Sequence, residues 1–268
     1  MEKSCRLIDD ALEGGQSMAS GSQYTHIPAD LDAWANQCRA AQDMFPSDQL
    51  SQFTSYFAKA FKQVPNDPTL AHLAAITQWC PDLERPVFLV GRTQFFGGKS
   101  CPVNFARIPD WCCHCVANLA GVPASHCVDD VLVVERTSVI TEGWLVWRAL
   151  AALAGWDVPD RKSPLPGRSS RVLGARSDLS RTPAEPPTLS IEADRVDQLI
   201  NALTEVKFRK SLGAGLAGKL WGRLAYSCTQ LFGRYGRAKL RPFSRHQHEP
   251  GRYKLNPQLL SLVRRSQG

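Results

Sequence analysis

The apolar positions of this chain change their period several times, and each change marks an element. Leu31, Trp34, Cys38 and Ala41 recur at steps of three and four, which puts them on one face of a helix over about residues 30–45. Asp30 stands where an N-cap belongs. Residues 53–64 begin as a strand and turn into helix, stopped by Pro65. Residues 71–79 and 86–90 predict two strands of one sheet, joined by a turn over 80–84. The run Gly97-Gly98-Lys99-Ser100-Cys101-Pro102 is a glycine-rich turn opening a helix over about residues 103–120. His126-Cys127-Val128-Asp129-Asp130-Val131-Leu132-Val133-Val134 then predicts a hairpin, with two carboxylates in a tight turn between apolar β-formers. A long helix follows through residues 142–153.

The second half reads differently. Residues 159–190 hold Pro159, Pro164, Pro166, Pro183, Pro186 and Pro187; within them only 171–179 reads as strand, and 180–190 as an interdomain linker. Helical spacing returns with Val196, Leu199, Ile200 and Leu203, then with Leu212, Leu216, Leu220 and Leu224 every four residues. Gly218 and Gly222 share a face of that helix. Lys219 and Arg223 beside them exclude a membrane dimer motif, so the glycines suit close packing of soluble helices.

Composition narrows the function classes only a little. A chain of 268 residues, 43% hydrophobic and 21% charged, has room for one large domain or two modest ones. No apolar run reaches the ~18 residues of a membrane span, and the opening Met-Glu-Lys-Ser-Cys-Arg lacks a signal-peptide core. An intracellular protein is expected, nucleus or cytoplasm left open. Nine cysteines without framework spacing fit that reading, as reduced and mostly buried thiols. Cys112 and Cys115 have Cys-x-x-Cys spacing, but no second pair follows, so a cysteine-rich buried helix is expected in place of zinc.

Charge is the informative part. The net +7 divides into −3 over residues 1–190 and +10 from residue 191 onward, where 15 Lys/Arg face 5 Asp/Glu. A basic C-terminal third points to a polyanion partner, with a plain solvated helical surface as the alternative.

The two adjacent carboxylates also admit two readings. Asp129-Asp130 is either an ordinary surface turn or a site for a hard divalent cation, which prefers carboxylate oxygens. The order of the surrounding motifs bears on the choice. Arg6-Leu7-Ile8-Asp9-Asp10 precedes a strand–helix bearing Ala60-Phe61-Lys62-Gln63; a Gly98-Lys99-Ser100 turn, the Val128-Asp129-Asp130 hairpin, Lys162-Ser163-Pro164 and Val172-Leu173-Gly174 follow in turn. This series, over about residues 5–245, resembles the reverse transcriptase of a retroelement.

The resemblance implies an α+β right-hand polymerase palm, an antiparallel sheet with helices packed on one face, followed by a helical region. It places a partial fingers segment at 1–50, the palm at 51–179, the linker at 180–190, a basic helical thumb- or connection-like region at 191–245 and a tail at 246–268. It implies nucleotidyl transfer with two Mg²⁺ ions about 3.5–4 Å apart, held by Asp129, Asp130 and a third carboxylate. Phe61 would screen the sugar, and Gly97, Gly98 and Lys99 would position template and nucleotide. Arg6 would lie near the triphosphate, Lys162 would serve the leaving pyrophosphate, and Val172, Leu173 and Gly174 would grip the primer. Lys219, Arg223, Arg234, Arg237, Lys239 and Arg241 would meet the nucleic-acid backbone. The implied partners are a primer–template duplex of RNA or DNA and deoxynucleoside triphosphates.

Plainer roles compete with these: Phe61 as core, Lys162 as one exposed lysine among many. One position also departs from the pattern. The third carboxylate belongs four residues before Ala60, where this chain has Tyr56. A phenol with an ordinary pKa of about 10 stays neutral at pH 7 and cannot bridge metal ions as a carboxylate does. The chain also opens almost directly on its first motif, leaving little room for the preceding fingers elements, and no RNase H or integrase module is recognisable after residue 245. The expectation is therefore an impaired, truncated polymerase domain. A non-catalytic nucleic-acid-binding module, or an expressed relic with no biochemical role, stands as the alternative.

Overall fold

A computed structural model describes residues 28–94, 98, 100–230, 236–248, 253–255, 258–259 and 261. The chain divides into two compact units, Met1–Ser170 with Leu179–Pro186, and Arg171–Asp178 with Pro187–Gly268.

The first unit opens with helix α1 (Leu31–Met44), which buries Leu31, Trp34, Cys38 and Ala41. Asp30 caps it, accepting from the Ala33 N–H at 3.0 Å. Strand β1 (Leu50–Tyr56) follows, then a hairpin of β2 (Ala75–Cys80) and β3 (Arg85–Val90). The expected helix after β1 is only a 3-10 turn, Ala60–Gln63, because Lys59 and Ala60 take positive φ (56° and 27°) and interrupt it. The strand expected from residue 71 begins at Ala75. Asp67-Pro68 starts a 3-10 turn, Pro68–Ala74, in which the Thr69 N–H and hydroxyl both donate to the Asp67 carboxylate.

Helix α2 (Cys101–Ala120), strands β4 (Ala124–Cys127) and β5 (Asp130–Arg136) and helix α3 (Ile140–Leu153) complete the unit. The sheet order is β1–β5–β4, antiparallel throughout. Phe53, Phe57, Val131 and Val133 pack with Phe105, Cys112 and Val116 of α2 and with Ile140 and Trp147 of α3. Side chains alternate across a strand, so Gln52 faces the other way. There its amide oxygen accepts from the Trp34 indole of α1 at 3.1 Å. The sheet thus lies between α1 on one side and α2 with α3 on the other, which is why Val131–Val134 are buried on both faces.

The second unit carries β6 (Ser169–Val172, begun in the first), β7 (Ala175–Asp178) and β8 (Thr188–Ile191), in that sheet order. The single strand expected over 171–179 is therefore two, turning at Leu173-Gly174 where φ is 46° and 79°. Residues 188–191, overlapping the end of the expected linker, form a strand paired to β7, with Leu189 opposite Ser177. Helices α4 (Ala193–Arg209), α5 (Ala214–Ser227) and α6 (Arg241–Gln247) follow. Leu199, Leu203, Val206, Leu212, Ala217, Leu220 and Phe243 form their core. Of the two glycines on α5, only Gly218 is closely approached: a Cβ there would meet Gln247 Oε1 at 2.6 Å, whereas Gly222 faces open space.

Candidate active site at the acidic hairpin

The acidic hairpin forms as its sequence suggests. Cys127 pairs with Asp130, leaving Val128-Asp129 as a two-residue turn. Val128 sits at φ +55°, a region that a β-branched residue rarely enters. Three contacts brace the turn. The Phe57 N–H donates to the Asp129 carbonyl at 3.1 Å. One ring nitrogen of buried His126 lies 3.1 Å from the Val128 carbonyl, and the other lies 2.8 Å from an Asp110 carboxylate oxygen.

Across from the turn, Tyr56 and Asp130 are direct partners in the β1–β5 register. The residue four before Ala60 thus lies opposite Asp130, and it is a phenol. The Lys162 ammonium sits 3.7 Å above the Tyr56 ring, a cation–π distance. The segment presenting Lys162 is held by three ties. Arg148 donates to the Val158 carbonyl at 2.7 Å and to Asp160 at 2.5 Å, and Ser163 bonds Ser55 at 2.6 Å. Ser55 also accepts from the Trp147 indole at 2.7 Å, which anchors this segment to the core.

Burial, then the charges of Asp130, Asp129 and Asp30, push the Cys127 thiol above its ordinary pKa. Among the described residues no three His, Cys, Asp or Glu side chains are grouped to hold a metal ion. Among the described residues Asp129 and Asp130 are the carboxylates of this turn, and with Tyr56 opposite Asp130 the residues described do not fit a two-ion centre.

Of the other expected site residues, Phe61 is 9% exposed and turns its ring edgewise onto Phe105, 5.3 Å between centroids. The Gly98 carbonyl accepts the first N–H of α2, from Cys101 at 3.1 Å. Val172 is buried, with Leu173 and Gly174 at the β6–β7 turn. Lys219, Arg223, Arg237, Lys239 and Arg241 are all exposed. Arg6, Gly97, Lys99 and Arg234 lie outside the described residues. Two features escaped the sequence reading: the Lys162–Tyr56 stack and the bracing by His126. His126 stands two residues before the turn, and that position was its only signal.

No known protein family matches the sequence, and no curated protein does. Solved structures do. The foamy viral protease–reverse transcriptase dRH, in complex with double-stranded DNA, matches with a TM-score of 0.61 and 14% identity over 90% of this chain. The foamy viral protease–reverse transcriptase, in complex with an RNA/DNA hybrid, matches with a TM-score of 0.55 and 15% identity over 80% of it. The chain spans 37% and 27% of those two proteins. Among the described residues no helix is long and apolar enough to cross a membrane. The acidic hairpin therefore stands in a reverse-transcriptase-like fold.

Proposed function

We propose that this chain is a reverse-transcriptase-like domain that binds nucleic acid and has lost most or all of its polymerase activity. The observation that carries the reading is Tyr56 opposite Asp130 with Lys162 stacked on its ring. That contact puts a neutral phenol where a metal-bridging carboxylate is needed, and engages the lysine expected to serve the leaving pyrophosphate. Loss of one well-placed stabilising group costs about 10²–10³ in rate, and loss of a bridging metal ligand costs at least that much. Duplex binding draws support from two sides. The residues from 191 onward carry a net +10, and the two solved structures of similar fold hold a DNA duplex and an RNA/DNA hybrid. In this reading residues 51–179 correspond to the palm, residues 191–245 are the basic thumb- or connection-like region, and among the described residues Asp129 and Asp130 are left to hold Mg²⁺.

The test is Mg²⁺-dependent primer extension on an RNA template by the chain and by Tyr56→Asp, with duplex binding followed at two salt concentrations. Extension by the variant alone, over salt-sensitive binding by both, is the expected result. Extension by the unchanged chain at a comparable rate overturns the assignment of Tyr56. Absence of duplex binding overturns the nucleic-acid reading and leaves the relic.

A further inference from the structure

The β2–β3 hairpin inverts the usual pattern of a solvent-facing sheet. An antiparallel sheet that covers a core on one side turns polar side chains outward on the other. By register, one face of this hairpin carries Ala75 opposite Val90, Thr77 opposite Phe88 and Trp79 opposite Pro86. All six are exposed and none is charged; Trp79 is 60% exposed and Phe88 76%. Ile76, Cys80 and Val87, on the other face, are half-buried. Among the described residues no side chain of β2 or β3 belongs to either apolar core. A two-stranded hairpin with so little burial is marginal in water, and a second layer packed on its open face would stabilise it.

Size and charge bear on what that layer is. Along β2 the bulk is uneven, with Trp79 near the tip of the hairpin and Ala75 at its base. Charge is uneven in the same direction. The tip holds Asp82 and Glu84, in a turn where the Glu84 N–H donates to the Pro81 carbonyl at 3.3 Å. Arg85 beside them belongs to the opposite face by its pairing with Cys80. Arg92 stands at the base, two residues beyond Val90. Asp82, Glu84 and Arg92 are exposed, and none has an ion-pair partner among the described residues.

A second hairpin of the same sequence, laid face to face and running the opposite way, matches both gradients. A two-fold axis across the strands puts Trp79 over Ala75 of the second copy, Pro86 over its Val90, and Phe88 against Phe88. It also sets the acidic tip of each copy over Arg92 of the other, twice by symmetry. The parallel arrangement would stack acidic tip on acidic tip. The face offers roughly 500 Å² on each copy, more than half of it from the two aromatic side chains. About 1,000 Å² in all is the lower end of specific association, which implies a weak dimer with a dissociation constant in the micromolar range.

We propose that the open face of the β2–β3 hairpin is a self-association surface, on which a second copy of this chain docks as an antiparallel two-fold dimer. The surface is independent of the nucleic-acid reading above.

The experiment is sedimentation velocity of the full chain from about 1 µM to about 100 µM, a range that brackets a micromolar dissociation constant. Thermal melts at the lowest concentration confirm that each variant is folded. The wild type is expected to pass from monomer to dimer across the range. Phe88→Asp sets two carboxylates against each other at the two-fold axis, and should raise the dissociation constant about a hundredfold or more. Reversal of the tip, Asp82→Lys with Glu84→Arg, should raise it several-fold, and so should Arg92→Glu. The tip and base reversals combined should restore it, because opposite charges face each other again.

A wild type that stays monomeric throughout overturns the dimer. So does association that Phe88→Asp leaves intact, which would place the contact on another surface. Reversals that weaken association singly and fail to restore it together overturn the antiparallel arrangement. A monomeric wild type that binds a single-stranded oligonucleotide, where Phe88→Asp does not, gives the face to unstacked bases in place of a second copy.

Discussion

At the scale of single residues, the buried thiols make the folded state sensitive to alkali. Burial pushes Cys38 and Cys113 up to about 12 and Cys112 up to about 11. Cys115 adds to the shift at Cys112, and Cys112 and Asp110 add to that at Cys113. A group with a raised folded pKa binds its proton more tightly folded than unfolded. Its contribution is complete below the ordinary thiol pKa of about 8.5 and is lost as pH climbs toward the folded value. Stability is therefore expected to be flat from pH 7 to about 8.5, then to fall by up to about 1.4 kcal/mol per pH unit for each thiol. Urea unfolding midpoints between pH 7 and 10.5 measure this. The Cys38→Ala, Cys113→Ala double variant should flatten the decline relative to its own neutral value. A decline of unchanged steepness in that variant would assign the sensitivity to other groups.

Elements differ in how openly the sequence announces them, and the reasons are physical. Helix α1 was legible because its burial is strictly amphipathic and its cap is an aspartate: the four residues on the expected face are the four buried. The leucines of α5 misled by their regularity. A step of four advances about 40° beyond one full turn, so the stripe drifts, and Leu216 is 39% exposed where Leu220 is 1%. Strand β8 was hidden because four residues give only two alternations and prolines precede them. The Leu173-Gly174 turn lay inside an apolar run that reads as one strand. At the site, the place of Tyr56 opposite Asp130 was legible because strand register is local. The Lys162 stack is a contact between distant segments, and no spacing encodes it.

Two predictions belong at the element scale. Helix α4 ends on Lys210 at φ +51°, a left-handed cap position where glycine carries no steric cost. Lys210 is exposed, so Lys210→Gly should raise stability by about 0.5–1 kcal/mol, read from the unfolding midpoint. A loss of stability would mean that the lysine side chain contributes where it touches solvent. The β2–β3 hairpin turns Trp79, Pro86, Phe88 and Val90 to one face, by its register, with Trp79 60% and Phe88 76% exposed. Side chains that bury little stabilise little. Trp79→Ser with Phe88→Ser should leave the melting temperature nearly unchanged, within about 0.5 kcal/mol, while raising solubility by removing an apolar patch. Light scattering and thermal melts decide it, and a large drop in melting temperature would contradict the exposed placement of that face.

At the scale of the whole molecule, charge is distributed along the chain more unevenly than hydrophobicity. Each unit has a core of its own, yet the net +10 belongs to the residues from 191 onward, while the rest carries −3. A polyanion bound mainly through that basic region should release counterions in proportion to the phosphates neutralised there. Lys219 and Arg223 lie one helical turn apart on α5 and are both exposed. Neither has an ion-pair partner among the described residues, so both charges are available to solvent or to phosphate. Each phosphate contact contributes about 0.9 to the slope of log affinity against log salt. Lys219→Gln with Arg223→Gln should therefore lower that slope by about 1.8. The control is Lys62→Gln, an exposed lysine of the first unit outside every proposed contact, which should leave the slope unchanged. Equal losses from both sets of substitutions would show that the duplex responds to total charge and has no preferred face. A loss confined to the α5 pair would place nucleic acid on the basic helices.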